Sequence, residues 1–318
     1  MQSPITPFVK DTILLLAAKR TMWRKEGNAV DTLVIGSSHG DFGFNPAFYP
    51  KSFNLCFRSQ DLKHSFHLFE KLTGTHSNIK DVVLFYSVFS PGHFMEKSPS
   101  EKFISPPMSE VFRLNFDYDD ESLQSIANFI KGELDEISVE IDGVRGFFPD
   151  SAKGFMPESY TVEKRASDHL KRNRSTDANV YLTKLLDLAA KQKQRVCIVI
   201  PPVRSDYKRA IGVESKELYR PLFELIGSRS QDDAVEVLNC FDDPQFLDGY
   251  FGDYDHLHPN GDGVGLLTKL VKQKMGRSSP TVYSNSISMS ASAFTFSGNP
   301  LASSPLGAAA AYIPSFKK

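Results

Sequence analysis

Two segments far apart in the chain carry residue types that could together perform nucleophilic acyl chemistry. Ser38 lies in the turn GSSHG at residues 36–40, and acids and imidazoles crowd the segment GDYDHLHPN at residues 252–260. A serine hydroxyl is a poor nucleophile until a base takes its proton, and a histidine base needs a carboxylate to hold it. The two segments therefore predict a serine nucleophile near one end of the chain and an acid and base pair near the other.

The second segment contains two overlapping pairs with the spacing Asp-x-x-His. Asp255 precedes His258, and Asp253 precedes His256. On a loop, either carboxylate could fix the tautomer of its histidine and stabilise the cationic ring. By residue type and spacing alone both pairs are candidates, and the histidine that is not the base has a structural or solvent-facing role.

Five short apolar runs rich in β-branched residues predict the strands that must position these segments. Stretches with helical periodicity separate most of the runs, and this alternation of strand and helix predicts an α/β fold with a central parallel sheet. Such sheets bind ligands beyond the carboxyl ends of their strands, and Ser38 follows the first run at that end. The runs lie at residues 32–36, 52–55, 81–86, 195–201 and 234–238.

The remaining chain predicts one catalytic domain with an insertion and a tail. About a hundred residues separate the third and fourth runs, far more than ordinary α/β connections need. We expect a helical cap over residues 93–178, with helices at 121–137 and 158–172. After Met275 the chain becomes rich in Ser, Ala, Gly and Pro. This change predicts a catalytic domain over 1–278 and a low-complexity tail over 279–318.

The combined motifs resemble those of the SGNH/GDSL hydrolase superfamily. The pattern GxSxxxxG at Gly36, Ser38 and Gly43 precedes a C-terminal DxxHPN, and the match spans residues 31–275. The variant is similar to bacterial SGNH-like proteins of polysaccharide modification, in which SFNLCFRSQDL and VVLFYSVFSPG stand at the second and third sequence blocks. The resemblance implies a three-layer, flavodoxin-like fold with a five-stranded parallel sheet, and a triad built from Ser38 and the Asp-x-x-His pair.

Within this resemblance, the choice between the two pairs favours Asp255 and His258. The ending DxxHPN points to His258, whereas relatives that end in DHLNxxG point to His256, with Asp253 completing the alternative pair. In either case Ser38 would form an acyl-enzyme. Water would resolve it in an esterase, and a sugar hydroxyl would resolve it in an O-acyltransferase.

The resemblance also implies an oxyanion hole, where this chain departs from the family pattern. The backbone N–H groups of Ser38 and Ser59 are the predicted donors, with Ser59 in place of the usual glycine. The third block reads YSVFSPG and lacks the usual asparagine. Loss of one donor slows well-studied hydrolases by about two to three decades, so slow turnover is expected. The same departure supports an alternative, a non-catalytic glycan-binding or assembly protein on this scaffold.

Two further residues are candidates for substrate binding. Arg204 follows the fourth run, where its guanidinium could hold a carboxylate or phosphate of an anionic sugar, or could simply lie at the surface. Tyr254 could stack on a sugar ring or pack against the core. The predicted substrate is a small-molecule or glycan ester, an acetyl ester above all. A transferase would also need an acyl donor such as acetyl-CoA.

Composition argues against several other classes of protein. The 37 basic and 38 acidic side chains give a net charge of −1, so no overall field favours nucleic acid or an anionic membrane. The apolar run at 13–18 is too short to span a bilayer, and basic residues follow it rather than precede it, which predicts a cytoplasmic protein. Cys56, Cys197 and Cys240 are too scattered for disulfides or a zinc site. We expect no metal and no cofactor.

Overall fold

The structure is a computed structural model that describes residues 5–133, 137, 139–151, 159–229 and 234–276. All of these belong to one of two units into which the chain divides, Met1–Ser279 and Pro280–Lys318. The predicted low-complexity tail at 279–318 lies outside the described residues.

A five-stranded sheet forms the centre of the described unit. Every pair of neighbouring strands is parallel, and the strand order β2-β1-β3-β4-β5 is the flavodoxin-like one. The predicted parallel α/β sheet is therefore confirmed, with strand boundaries that differ from the predicted ones by at most one residue. The strands are β1 Thr32–Gly36, β2 Ser52–Asn54, β3 Asp81–Phe85, β4 Arg195–Ile200 and β5 Val235–Asn239.

Helices follow most strands and cover the sheet. The N-terminal helix is capped by Thr6, whose hydroxyl accepts the N–H of Val9, and it contains the apolar run at 13–18. In chain order the helices are α1 Pro7–Glu26, α2 Ser38–Gly43, α3 Leu62–Thr73, α4 Ser105–Phe112, α5 Glu121–Glu133, α6 Val162–Asn173, α7 Asn179–Lys191, α8 Ser205–Ile211, α9 Ser215–Leu218, α10 Arg220–Gly227 and α11 Asp262–Gly276.

Side chains alternate across the sheet and build a core on each face. Leu33 and Ile35 of β1 pack into the larger core with residues of α1, α3 and α7. Val34, between them, packs into the smaller core with Leu267 and Val271 of α11. Since strands bury side chains on both faces only when both are covered, the molecule has three layers, as predicted.

The insertion between β3 and α7 contains α4, α5 and α6. The predicted helix at 121–137 corresponds to α5, which is described over Glu121–Glu133, and the predicted helix at 158–172 corresponds to α6, which begins at Val162. The aromatic segment at 142–157, between these two helices, lies only partly within the described residues. Helix α4 packs against α1, and α6 packs against α8. The insertion therefore reaches the carboxyl edge of the sheet through α6.

Gly36 ends β1 in a backbone conformation that favours glycine. Its φ is +127°, and a Cβ added there would lie 2.7 Å from the carbonyl oxygen of Phe85 on the neighbouring strand. The glycine thus lets the chain leave the sheet beside β3 and start α2 with Ser38.

Replacing Gly36 with alanine is expected to destabilise the protein by about 1–3 kcal/mol, because a side chain adds strain at this φ. Urea unfolding measures the loss. Gly132→Ala is the matched control, because Gly132 lies in α5, where an added Cβ would have no neighbouring atom within 4 Å, and alanine favours helix. Equal effects of the two substitutions would contradict the strain argument.

Candidate active site

Ser38 and a histidine of the distant loop meet at the carboxyl edge of the sheet. Ser38 is the first residue of α2 and follows β1 directly. Its Oγ lies 2.8 Å from Nε2 of His256, across 218 residues of sequence. His256 is buried, and Ser38 keeps 8% of its surface exposed. The hydroxyl therefore has a base within hydrogen-bond distance.

Asp253 holds the other side of the His256 ring. The ring Nδ1 lies 2.9 Å from Oδ2 and 3.0 Å from Oδ1 of Asp253. Oδ1 also accepts the backbone N–H groups of Asp255 and His256, so one carboxylate closes the turn and orients the ring. With Nδ1–H donating to Asp253, Nε2 is left to accept the proton of Ser38.

The carboxylates around His256 favour its charged form. Burial opposes that charge, but Asp253 and Asp255 outweigh burial, so the pKa of His256 is raised above its ordinary value. The pKa of Asp253 is lowered, because the charge and hydrogen bond of His256 outweigh burial of the carboxylate. The imidazolium that forms when Ser38 loses its proton is therefore stabilised.

The structure does not bring the preferred pair, Asp255 and His258, to Ser38, and the catalytic roles assigned to them stay a prediction. Residue 257 forms an isolated antiparallel bridge with Phe251, and Leu257 is buried. His258 follows this buried residue directly. It is exposed, and its Nδ1 accepts the N–H of Asn260 at 3.3 Å. The structure brings the alternative pair, Asp253 and His256, to the serine instead.

Asp255 instead joins a buried polar network. Arg165 of α6 donates to it through Nε at 3.0 Å and Nη2 at 3.1 Å. His39 Nε2 lies 3.1 Å from its Oδ2. Burial alone would raise the pKa of Asp255, but the Arg165 guanidinium, with help from His256 and His39, holds it well below the usual range. Asp255 is a buried carboxylate beside the base, with its own cation.

His39 links the Asp255 carboxylate to two serines that lie just after β1 and β3. Its Nδ1 lies 2.8 Å from Oγ of Ser87 and 3.1 Å from Oγ of Ser37. Burial lowers the pKa of His39, which favours a neutral ring that donates from Nε2 to Asp255 and accepts at Nδ1. Residue type and spacing indicate only a helix-start role for His39. Its position beside Ser38 was the available signal for a role in the site.

Arg165 is a functional candidate that sequence reasoning missed. It lies 90 residues before Asp255 in an insertion that the family motifs do not cover, and an arginine on a charged helix is ordinary by spacing. The expectation that the insertion lies over the site was the only pointer towards it.

Ser59, the other predicted oxyanion donor, has a φ of +55°, a conformation that favours glycine. Its Oγ donates to Glu101 at 2.8 Å, and its carbonyl oxygen lies 3.1 Å from Nε2 of His93. Both partners belong to the segment after β3. The backbone there has the shape that the usual glycine would give, and the donor roles of Ser38 and Ser59 stay predictions.

The two predicted substrate-binding residues contact each other. The Arg204 guanidinium lies 4.7 Å from the Tyr254 ring centroid. The backbone N–H of Arg204 donates to the backbone carbonyl of Tyr254 at 3.0 Å. Arg204 also makes two hydrogen bonds to Asp206, at 2.7 and 2.5 Å. Its charge is therefore already paired, which weakens the case for binding an anionic sugar. Sugar contact by either residue stays a prediction.

The atoms of His39, Asp255 and His256 are close enough together to hold a metal ion, since their candidate ligand atoms lie within 4.8 Å of one another. The guanidinium of Arg165, however, already engages both oxygens of Asp255. A cation added there would meet an existing positive charge. The donor set therefore fits a metal poorly, and the expectation of no metal stays a prediction.

A second hydrogen-bonded series of aspartate, histidine and serine lies elsewhere in the molecule. His64 Nδ1 is 2.7 Å from Asp61 Oδ1, and His64 Nε2 is 2.8 Å from Ser105 Oγ. His64 and Ser105 are both 0% exposed, and Ser105 also contacts the hydroxyl of Tyr118 at 3.0 Å. Because no ester can reach this serine in the folded state, the group is a structural contact between α3 and α4.

Within the residues that the structure describes, no helix combines the length and apolarity that crossing a bilayer requires.

Comparison with known proteins identifies no family for this chain. No protein-family model and no curated protein matches it. It is similar to a solved structure described as "The structure of a putative platelet activating factor from Streptococcus pneumonia", with 13% sequence identity and a TM-score of 0.43. That comparison covers 84% of this chain and 94% of the other. A likeness this distant carries no information on function.

Proposed function

We propose that this protein is a serine esterase or O-acyltransferase that acts on ester groups, above all acetyl groups, of a carbohydrate. The observation that carries the proposal is the unbroken contact from Ser38 Oγ to His256 Nε2 at 2.8 Å and from His256 Nδ1 to Asp253 at 2.9 Å. The three residue types stand in the order that nucleophilic acyl transfer needs. The carbohydrate substrate, the acyl donor and the cytoplasmic compartment rest on the sequence alone.

In the proposed reaction, Ser38 Oγ attacks the carbonyl carbon of the ester while His256 Nε2 takes the hydroxyl proton. The tetrahedral intermediate collapses, the bond to the leaving alcohol breaks, and His256 returns the proton to that alcohol. Water or a sugar hydroxyl then attacks the acyl-enzyme by the same steps in reverse. Asp253 orients His256 and stabilises its cation throughout.

Access to solvent separates Ser38 from Ser105. Both hydroxyls lie 2.8 Å from an imidazole that an aspartate holds, so contact geometry does not distinguish them. Ser38 keeps 8% of its surface exposed at the carboxyl edge of the sheet, where α/β proteins bind ligands, and Ser105 is 0% exposed. The proposal therefore assigns reactivity to Ser38 alone.

A fluorophosphonate probe tests this assignment, because it forms a covalent bond only with an activated serine. We expect labelling of the wild type, loss of labelling in Ser38→Ala, and retention in Ser105→Ala. Mass spectrometry of the labelled peptide identifies the serine.

Absence of wild-type labelling, under conditions that label a control esterase, would overturn the proposal and favour the non-catalytic glycan-binding alternative that the missing asparagine suggests. If labelling occurs, a chromogenic acetyl ester with and without candidate glycan acceptors separates hydrolysis from transfer. Transfer predicts acetylated glycan at the expense of acetate.

A further inference from the structure

Helix α6 of the insertion presents three residues to the site from one face. Arg165, His169 and Arg172 are spaced four and three residues apart, so they lie along the same side of the helix. Arg165 donates to Asp255, and His169 Nδ1 lies 2.6 Å from the Tyr207 hydroxyl. At the far end, Arg172 donates to Glu101 at 3.0 Å. One helix therefore contacts both the loop that contains His256 and Glu101, the residue to which Ser59 donates.

The contact between Arg165 and Asp255 is the strongest of these. Two hydrogen bonds, from Nε and Nη2, reach the two oxygens of one carboxylate, the geometry in which arginine binds carboxylates best. Only 1% of the Asp255 side chain and 14% of the Arg165 side chain are exposed. Water screens such a pair weakly, so its charges act strongly on their neighbours.

His256 is the neighbour on which both charges act. Asp255 Oδ1 lies 3.7 Å from its Nδ1, beyond Asp253 at 2.9 Å. Two carboxylates thus stand beside one ring nitrogen. The first suffices to orient the ring, and an uncompensated second one would favour the protonated ring, which cannot act as a base.

The other polar groups near His256 are neutral or compensated. The His39 ring stacks 4.7 Å from the His256 ring, and burial lowers the pKa of His39 and of His169. Burial likewise raises the pKa of Tyr207. The facing groups are Asp253 and Asp255 from the loop, Ser38 and His39 from α2, Arg165 and His169 from α6, and Tyr207 from α8.

We propose that Arg165 is a positioning residue of the insertion that offsets the charge of Asp255 and thereby keeps His256 able to act as a base. The proposal rests on the function proposed for Ser38 and His256. It makes catalysis depend on the docking of α6, since the compensating charge reaches the site only when that helix packs against the loop.

Opposite shifts of the pH profile distinguish this role from simple packing. The base must be neutral, so kcat/KM falls on the acid side as His256 becomes protonated. Arg165→Gln removes a positive charge and is expected to move that acid limb to higher pH. Asp255→Asn removes a negative charge and is expected to move it to lower pH. The double variant R165Q/D255N is expected to return it towards the wild-type position.

Arg165→Lys is the matched control, because it keeps the charge while losing the two-point contact. Its acid limb is expected to stay near that of the wild type. If the single variants shift the limb in the same direction, or if Arg165→Lys shifts it as far as Arg165→Gln, the proposal is overturned.

Titration of His256 by NMR gives a readout that needs no turnover. The ring signal, assigned with a His256→Gln variant, is expected to shift its midpoint in the same two directions. If the wild type resists the fluorophosphonate probe while the two variants show these opposite shifts, the proposed function is wrong and the role of Arg165 in offsetting the charge of Asp255 is supported. Labelling without opposite shifts would defeat the role of Arg165 only.

Failure of a single variant to fold is also decisive when the double variant is examined. Each single change leaves one buried charge without its partner, which costs stability, whereas the double change removes both charges. If Arg165→Gln fails to fold and R165Q/D255N folds, compensation of Asp255 is supported. If the double variant fails as well, Arg165 is needed for packing whatever the charge of Asp255, and the proposal is wrong.

Discussion

Replacement of His256 by alanine is expected to lower kcat towards an acetyl ester by about four to six decades, whereas His258→Ala leaves it nearly unchanged. Loss of the base removes the group that takes the Ser38 proton, and in well-studied hydrolases such a loss costs about 10⁶ in kcat. Of the two histidines, His256 makes the contact with Ser38 at 2.8 Å, while His258 is exposed beyond it. Steady-state rates of the two purified variants measure the difference.

The two histidines form a matched pair for this experiment. They lie two residues apart on one loop, so both variants test the same segment. His256→Gln provides a second variant with a polar side chain of similar size, which limits the effect of leaving Asp253 and Asp255 beside a cavity. Circular dichroism confirms the fold of each. A large loss in His258→Ala with activity retained in His256→Ala would show that the loop rearranges before catalysis.

The histidine that the motif favours lies away from Ser38 for a reason of backbone geometry. The motif ending favours His258, but motif spacing says nothing about which way a side chain points. Asp253 accepts the N–H groups of residues 255 and 256, and the turn that results carries His256 to the serine. His258, two residues further on, is exposed, and its ring accepts the N–H of Asn260. Both facts depend on hydrogen bonds that no pattern of residue types specifies.

The sheet, in contrast, was predictable almost residue by residue. Runs of buried β-branched residues mark strands that are covered on both faces, and the apolar periodicity of α7 puts Leu182, Leu185 and Leu186 in the core. These signals are local. The contact of Arg165 with Asp255 is not, because it joins a helix of the insertion to a loop 90 residues later. Sequence reasoning located the insertion but not the residue it contributes.

Spacing alone also overstates the number of reactive sites. The chain holds a third Asp-x-x-His, at Asp61 and His64, with a serine at hydrogen-bond distance. The residue types are the same as at Ser38, yet complete burial gives that group a structural role. Exposure at the edge of the sheet, rather than the presence of the three residue types, therefore marks the candidate site.

Asp253→Asn is expected to lower kcat by about four decades near neutral pH, the size of effect that a neutral amide has in the corresponding position of a serine protease. Oδ1 of Asp253 accepts two backbone N–H groups, and an asparagine oxygen can keep both. The amide nitrogen then takes the place of Oδ2, 2.9 Å from His256 Nδ1. That nitrogen donates, so it favours the tautomer in which Nδ1 accepts and the proton lies on Nε2, where the ring can no longer take the Ser38 proton.

Asp255→Asn is the natural comparison, since Asp255 is the acid that motif spacing favoured. It leaves the bond between Asp253 and His256 intact, so the tautomer is kept and the loss at the optimum pH is expected to be far smaller. The rates of both variants, each measured across its own pH profile, separate the two acids. A greater loss in Asp255→Asn would mean that the carboxylate held by Arg165, and not the one that closes the turn, supports the base. The histidine ring that takes the Ser38 proton would then have to lie in a position different from the one in this structure.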